Sequence, residues 1–552
     1  MSTPALDAPT SRRGRWRWLV ALVSTIVLVV SGSGLVAFAQ SGSGISDGPQ
    51  FVPADAPIYL EARLDMPDGQ GEALAEFMTA FPGFADAGSF QLKLDEAVDG
   101  LIAEASDGAM SMSDLQGFLT GELGLSLTDL SAEVMDSDQP PMLIGIGISD
   151  RAAAETFVSG VLPSASPESY GTTSIYSDED AAVAVHDAWI LLAPDADQVK
   201  AGIDVLDGNA PSLAADPEFA ASFAKVPAGH LGAVYVDLQA MGSLIEMGLA
   251  ASGQTGMALP IEDLMAQLPL DMVAYLAAAP DRMTLEAFIT PSEATPSFPV
   301  GESDLASLFP GDTQVYVEIR ELGALLAGLL SGFVASMDEE TAAEMEPVED
   351  MLGAPLPDFL DFVSDASIGA GLSSDGLWLG IAGEVSDEAI AAERLERIIS
   401  IVNVLGGAAE SDISVETVMV GDTEVHEITL PIDAASMGLP FDIGQTLSLA
   451  VSDGGLLIGT GDFVVNALTQ PATDSLGASD AYTDALGDDT SNSGVVYVNV
   501  GSLLAELDPL LNEMMPEWAD IQPYATALDR LVAVGTAGDE VISARITVIV
   551  GQ

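Results

Sequence analysis

The sequence predicts an α+β protein made of two related halves, each an antiparallel sheet packed by helices, after one N-terminal transmembrane helix. Three observations predict it. Short alternating apolar stretches come in hairpin-like pairs. Helical patterns opened by Ser or Asp lie between them. A set of motifs recurs once, in the same order, 257 to 266 residues further on.

The first 18 residues carry Arg12, Arg13, Arg15 and Arg17, with Trp16 and Trp18 among them. Leu19 to Ala39 then runs uncharged for 21 residues, enough at about 1.5 Å per residue to cross a hydrocarbon core of about 30 Å. Arginines on the near side keep that end cytoplasmic and send the remaining chain outward, so the expectation is a single-pass cell-membrane protein with an external ectodomain. The alternative is a secreted protein, because Ala37-Phe38-Ala39 before Gln40 fits a signal-peptide cleavage site. Residues 40–50 begin Gln-Ser-Gly-Ser-Gly and read as a flexible linker.

The two halves are expected at 51–298 and 299–552. Pro53 to Arg63 and Pro310 to Arg320 share the pattern P-x-D-x-x-[IV]-Y-[LV]-E-[AI]-R. Val234-Tyr235-Val236-Asp237 recurs as Val496-Tyr497-Val498-Asn499, and Val273 to Ile289 matches Val532 to Val548. Ile58 to Leu64 and Val315 to Ile319 alternate as strands with one buried face. Ala182–His186 with Trp189–Ala193, and Ser448–Ser452 with Leu456–Gly459, read as hairpins. Ser149-Asp150 opens a helix over Ala152–Leu162, and Ser386-Asp387 opens a longer one through Val404. Leu322 to Met337 is apolar all round. At about 16 residues, followed by Asp338, Glu339 and Glu340, it reads as a buried helix and not a second span.

Composition limits function. Of 552 residues 48% are apolar, and the mean hydropathy is +0.35, which demands extensive cores. There are 85 acidic and 15 basic residues. Four arginines and one aspartate precede Gln40, which leaves eleven basic against 84 acidic residues in the rest. Such a surface repels nucleic acid and anionic headgroups. It suits weak Ca²⁺ binding or a cationic partner, or simply keeps an apolar-rich chain soluble in saline surroundings. Cysteine is absent, which excludes disulfides, thiol nucleophiles and Cys-based zinc sites. His186, His230 and His426 show no metal-type spacing. No nucleophile elbow, phosphate loop or dinucleotide fingerprint occurs, and Gly145-Ile146-Gly147 reads as close packing on a strand. The sequence therefore supplies no catalytic, cofactor or metal residues.

The sharpest residue-level signal is the repeated triplet Tyr59, Glu61, Arg63 and Tyr316, Glu318, Arg320. In a strand each triplet shares one face, so Glu and Arg are expected to pair beside the tyrosine. That pair is either an interaction site or a salt bridge that pins the strand.

With the anchor, the duplication and these strand starts, the chain resembles the bacterial envelope family catalogued as domain of unknown function 3352. The Leu123-Gly124-Leu125 and Met351-Leu352-Gly353 stretches before sheet-forming segments belong to the same resemblance. It implies an envelope location and carries no catalytic residues. The reading is a non-enzymatic ectodomain that binds an envelope protein partner or has a structural role. One alternative is a carrier or sensor of a lipid-like apolar ligand held between sheet and helices. The other is an enzyme using carboxylates such as Glu61 and Glu318.

Overall fold

The computed structural model describes residues 47–86, 117–129, 141–161, 166–178, 181–242, 268–292, 299–336, 351–355, 361–373, 376–408, 413–429, 445–487, 489–538 and 540–551, with a few isolated positions between them. The expected membrane helix, residues 19–39, lies outside the described residues. No helix among the described residues is long and apolar enough to cross a membrane. The chain is a mixed fold of antiparallel sheet and helices in two compact units, Met1–Pro296 with Glu540–Ser543 and Ser297–Asp539 with Ala544–Gln552. The linker read as 40–50 ends sooner, because Gly48–Phe51 is a 3-10 turn with Pro49 and Phe51 buried.

The first unit holds, among the described residues, the strands β1 Ile58–Arg63, β2 Leu119–Leu127, β3 Met142–Ile148, β4 Ser166–Tyr170, β5 Thr173–Ser177, β6 Ala182–His186, β7 Trp189–Ala193, β8 Gly232–Asp237, β9 Asp271–Ala279 and β10 Arg282–Thr290. Every pairing is antiparallel, in the order β4-β5-β6-β7-β3-β2-β1-β8-β9-β10. The β6–β7 hairpin has the boundaries its sequence pattern predicts, and its turn residue Asp187 sits in the left-handed region at φ 47°.

Helices α1 Gln70–Met78, α2 Arg151–Val161, α3 Ala196–Leu206 and α4 Pro217–Phe223 pack on this sheet. Asp195 caps α3 by accepting from the backbone N–H groups of Asp197 and Gln198, and Asp216 caps α4 in the same way. On one face Tyr59, Leu143, Ala184 and Leu191 join the core beneath α3. On the other, Ile144, Val183, Val185 and Ile190 pack against Ala154 and Val158 of α2. Coverage on both faces explains why β6 and β7 are apolar at nearly every position.

The second unit holds β11 Val315–Ile319, β12 Val363–Ser373, β13 Gly376–Val385, β14 Ser414–Val420, β15 Thr423–Thr429, β16 Thr446–Ser452, β17 Gly455–Thr460, β18 Gly494–Asn499, β19 Leu528–Ala537 and β20 Ile542–Val550. The order β14-β15-β16-β17-β13-β12-β11-β18-β19-β20 is the order of the first unit with each number raised by ten. Its helices include α5 Leu322–Ser336, α6 Glu388–Ala408, α7 Phe463–Thr469, α8 Asp480–Leu486, α9 Val500–Met514 and α10 Trp518–Ala525.

Helix α6 is capped by Asp387, which accepts from Ala389 and Ile390, and its Leu395 and Ile399 bury against Ile428 and Leu449. The expectation of a buried helix at Leu322 to Met337 is corrected. Its described apolar side chains Leu322, Leu326, Leu330 and Val334 are only half-buried. The helix packs against β12.

Leu123-Gly124-Leu125 lies inside β2 and not ahead of a strand, because glycine there admits an aromatic ring. Phe51 is fully buried, and a Cβ at Gly145 would fall 2.2 Å from its ring, one at Gly124 2.9 Å. Phe309 lies over Gly369 in the same manner, 2.4 Å from an added Cβ. Gly145→Ala is expected to cost about 1–3 kcal/mol by overpacking, read as a lower urea midpoint for the first unit, with Gly369→Ala doing the same to the second.

Candidate functional site

β1 lies between β2 and β8, so both of its edges are hydrogen-bonded and one face meets the core. Tyr59, Glu61 and Arg63 project to that face and are 0%, 2% and 0% exposed. Burying a carboxylate and a guanidinium is costly unless each finds partners, so their contacts decide whether the strand can exist.

The expected Glu61–Arg63 pair does not form in the first unit. The Tyr59 hydroxyl donates to Glu61 Oε2 at 2.8 Å, and Glu61 Oε1 lies 2.6 Å from His230 Nε2. His230 precedes β8, and its Nδ1 is 2.7 Å from the Pro227 carbonyl. Arg63 instead turns to Asp65, just beyond the strand, donating from Nε at 2.8 Å and from Nη2 at 2.6 Å. Glu122, opposite Arg63 in the β1–β2 register, lies 3.7 Å from Nη2. Arg63 Nη1 is buried and has no hydrogen-bond partner among the described residues. Sequence reasoning missed His230, because a periodicity argument within one strand does not see a loop 169 residues away, and it missed Asp65, which continues the same alternation two residues past Arg63.

The second unit places the same residue types on β11 and wires them differently. The Tyr316 hydroxyl donates to Glu318 Oε2. Here the expected pair does form. Glu318 Oε1 lies 2.8 Å from Arg320 Nη1, an ion-pair contact outside hydrogen-bond geometry. Arg320 Nη1 also donates to Asp365 Oδ2 at 2.9 Å, its Nε to the Asn492 carbonyl, and its Nη2 to the Gly301 carbonyl at 2.9 Å. Asn492 stands two residues before β18, as His230 stands two before β8. Asp365 is the register counterpart of Glu122, and Tyr497 faces Tyr316 as Tyr235 faces Tyr59.

Burial sets the electrostatics. It pushes the Glu122 carboxyl up to about 7, with repulsion from Asp65, Asp47 and Glu61 in the same direction and Arg63 pulling the other way. Burial also raises the Tyr316 hydroxyl well above its ordinary range, helped by Glu318. For Arg63, burial favours loss of the proton, but Asp65, Glu122 and Glu61 outweigh it and the net shift is upward. These networks lie inside the sheet core, and each tyrosine is held by its carboxylate.

Elsewhere, His186 contacts Thr173 at 2.6 Å and Asp207 at 3.1 Å, and His426 contacts Thr417 at 3.1 Å. An open depression of about 380 Å³ is lined by Asp480, Asp484, Asn499 and Asp529, with Arg530 bonded to Asp529 inside it. No group of three or more acidic or histidine side chains among the described residues is placed to hold a metal ion. The acidic run Asp338 to Glu340, and Glu179 and Asp180 of the run at 178–180, lie outside the described residues.

The family described as "Protein of unknown function (DUF3352)" matches residues 18–531. The chain belongs to the DUF3352 family. Among curated proteins, none matches it. Of the solved structures, crystal form III of TP0453 is similar at 12% identity over 46% of this DUF3352 chain and 84% of its own, with a TM-score of 0.25. Crystal form IV gives 11% over 45% and 83%, with a TM-score of 0.24. Likenesses of that size identify neither a fold nor a function.

Because the Glu122 carboxyl holds its proton up to about 7, against an ordinary value of 4.5, the folded protein binds more protons than the unfolded chain between those limits. Stability from this group is full below about 4.5 and is lost as the pH rises through about 7. Glu122→Gln is expected to remove a slope on the order of 1–3 kcal/mol across that window, read from urea unfolding of the first unit between pH 4.5 and 8.

Proposed function

We propose that this protein is a non-enzymatic ectodomain of the bacterial cell envelope, tethered by residues 19–39 and built by duplication of one α+β unit. The carrying observation is the fate of the repeated triplets. Tyr59, Glu61, Tyr316, Glu318 and Arg320 spend their polar atoms on neighbours within the core, so the recurring chemistry holds the strands and leaves outer surfaces for contact with a partner. The duplication draws support from the strand order common to both units and from the matched positions Glu122 and Asp365, His230 and Asn492. The anchor draws support from the 21 uncharged residues after four arginines. The intact mass of the protein recovered from membranes tests this. A chain retaining residues before Leu19 supports the tether, and one beginning at Gln40 replaces it with a cleaved signal.

A second reading, an apolar-ligand carrier or sensor, has one specific observation in its favour. On the sheet face opposite Tyr316, Ile368, Leu379, Ile381 and Val496 are 48%, 45%, 40% and 36% exposed. Ile368 and Val496 both lie beside Val317, and Ile381 beside Ile368, so they are neighbours in register. The apolar helix α5 packs at β12, and α9 at β12 and β19. Contiguous exposed apolar surface of this kind marks contact with something else. Native mass spectrometry followed by organic extraction is expected to show a reproducible apolar mass, reduced in Ile381→Asp. A clean apo mass sinks the carrier reading.

A further inference from the structure

We propose that the first unit contains a proton-operated switch in which Glu61 exchanges its partner between His230 and Arg63. His230 Nδ1 lies 2.7 Å from the Pro227 carbonyl oxygen, which only accepts, so that nitrogen carries a hydrogen. Nε2 lies 2.6 Å from Glu61 Oε1, and the other oxygen of that carboxylate already receives the Tyr59 hydroxyl. Both ring nitrogens therefore face acceptors. The contact between His230 and Glu61 holds only while a proton lies between them. The two side chains are 3% and 1% exposed, so no bulk water substitutes for it.

Once that proton leaves, the Nε2 lone pair faces a carboxylate, and the contact turns repulsive. A replacement stands on the same strand face two residues along. Arg63 Nη1 is buried and unpartnered among the described residues, while Asp65 occupies Nε and Nη2. The second unit displays the alternative arrangement. With Asn492 in the place of His230, Glu318 Oε1 lies 2.8 Å from Arg320 Nη1. The two arrangements thus occur at equivalent strands of one chain, and the switch would carry β1 from the first to the second.

The other charged groups about the pair are Arg63 and Asp65 on β1 and its continuation, Glu122 on β2, and Asp47 ahead of β1. Asp68 lies against Gly229, next to His230.

The test uses the full chain with ¹⁵N-labelled histidine, whose three rings are separable through His186→Asn and His426→Asn. The His230 ring is expected to carry protons on both nitrogens at pH 6 and to lose one by pH 9. Over the same range, hydrogen exchange corrected for its intrinsic pH dependence is expected to show β1 and β8 losing protection by about tenfold, with β11 and β18 unchanged. His230→Asn is expected to flatten the profile of the first unit, and Glu122→Gln to leave this upper window in place. A singly protonated His230 ring at pH 6, parallel profiles in the two units, or a profile that persists in His230→Asn would overturn the switch. If His230→Asn does not fold, the ring titration of the unaltered chain decides.

Discussion

The fold turns on a charge problem at the centre of each sheet. The middle strand of each unit buries a glutamate and an arginine on its core-facing side, where an unpaired charge costs several kcal/mol. Every neighbouring element is recruited to solve it. In the first unit the residue after the strand supplies Asp65, β2 supplies Glu122, and the approach to β8 supplies His230. In the second, Asp365 and the Gly301 and Asn492 carbonyls converge on one guanidinium. A guanidinium suits that role because its donors point outward in one plane toward several acceptors at once.

The two units reach the same end by different wiring. Their strand orders coincide, and an aromatic ring over glycine anchors each sheet, Phe51 on Gly145 and Phe309 on Gly369. Where one unit has His230 and the other Asn492, Glu61 meets the histidine while Glu318 meets Arg320, and Arg63 Nη1 has no hydrogen-bond partner among the described residues. Topology is the robust property here, and the polar network inside it tolerates re-partnering.

Much of the local structure was legible. The β6–β7 hairpin follows from two apolar runs separated by two residues, and the starts of α2 and α6 follow from Asp150 and Asp387. Each of these is decided within a few residues. What stayed hidden is what the chain closes over distance. No periodicity places β1 between β2 and β8, so the His230 partner of Glu61 could not be read, and the triplet geometry was right for the second unit alone. Hydropathy likewise marks Leu322 to Ser336 as apolar without saying that β12 is the element it packs on. Burial depends on which neighbour arrives, and a composition carries no such address.

The placement of β1 also governs the order in which the protein can assemble. It is the first strand of its unit among the described residues, yet it pairs with β2 about 60 residues later and with β8 about 170 residues later. Contacts so distant along the chain close late and slowly, because the loop entropy is lost before the pairing is gained. Glu61 lacks its His230 partner until that segment is in place. Charges within an apolar strand disfavour pairing with a wrong partner, so the pair that clasps the finished core also suits a gatekeeper before it closes.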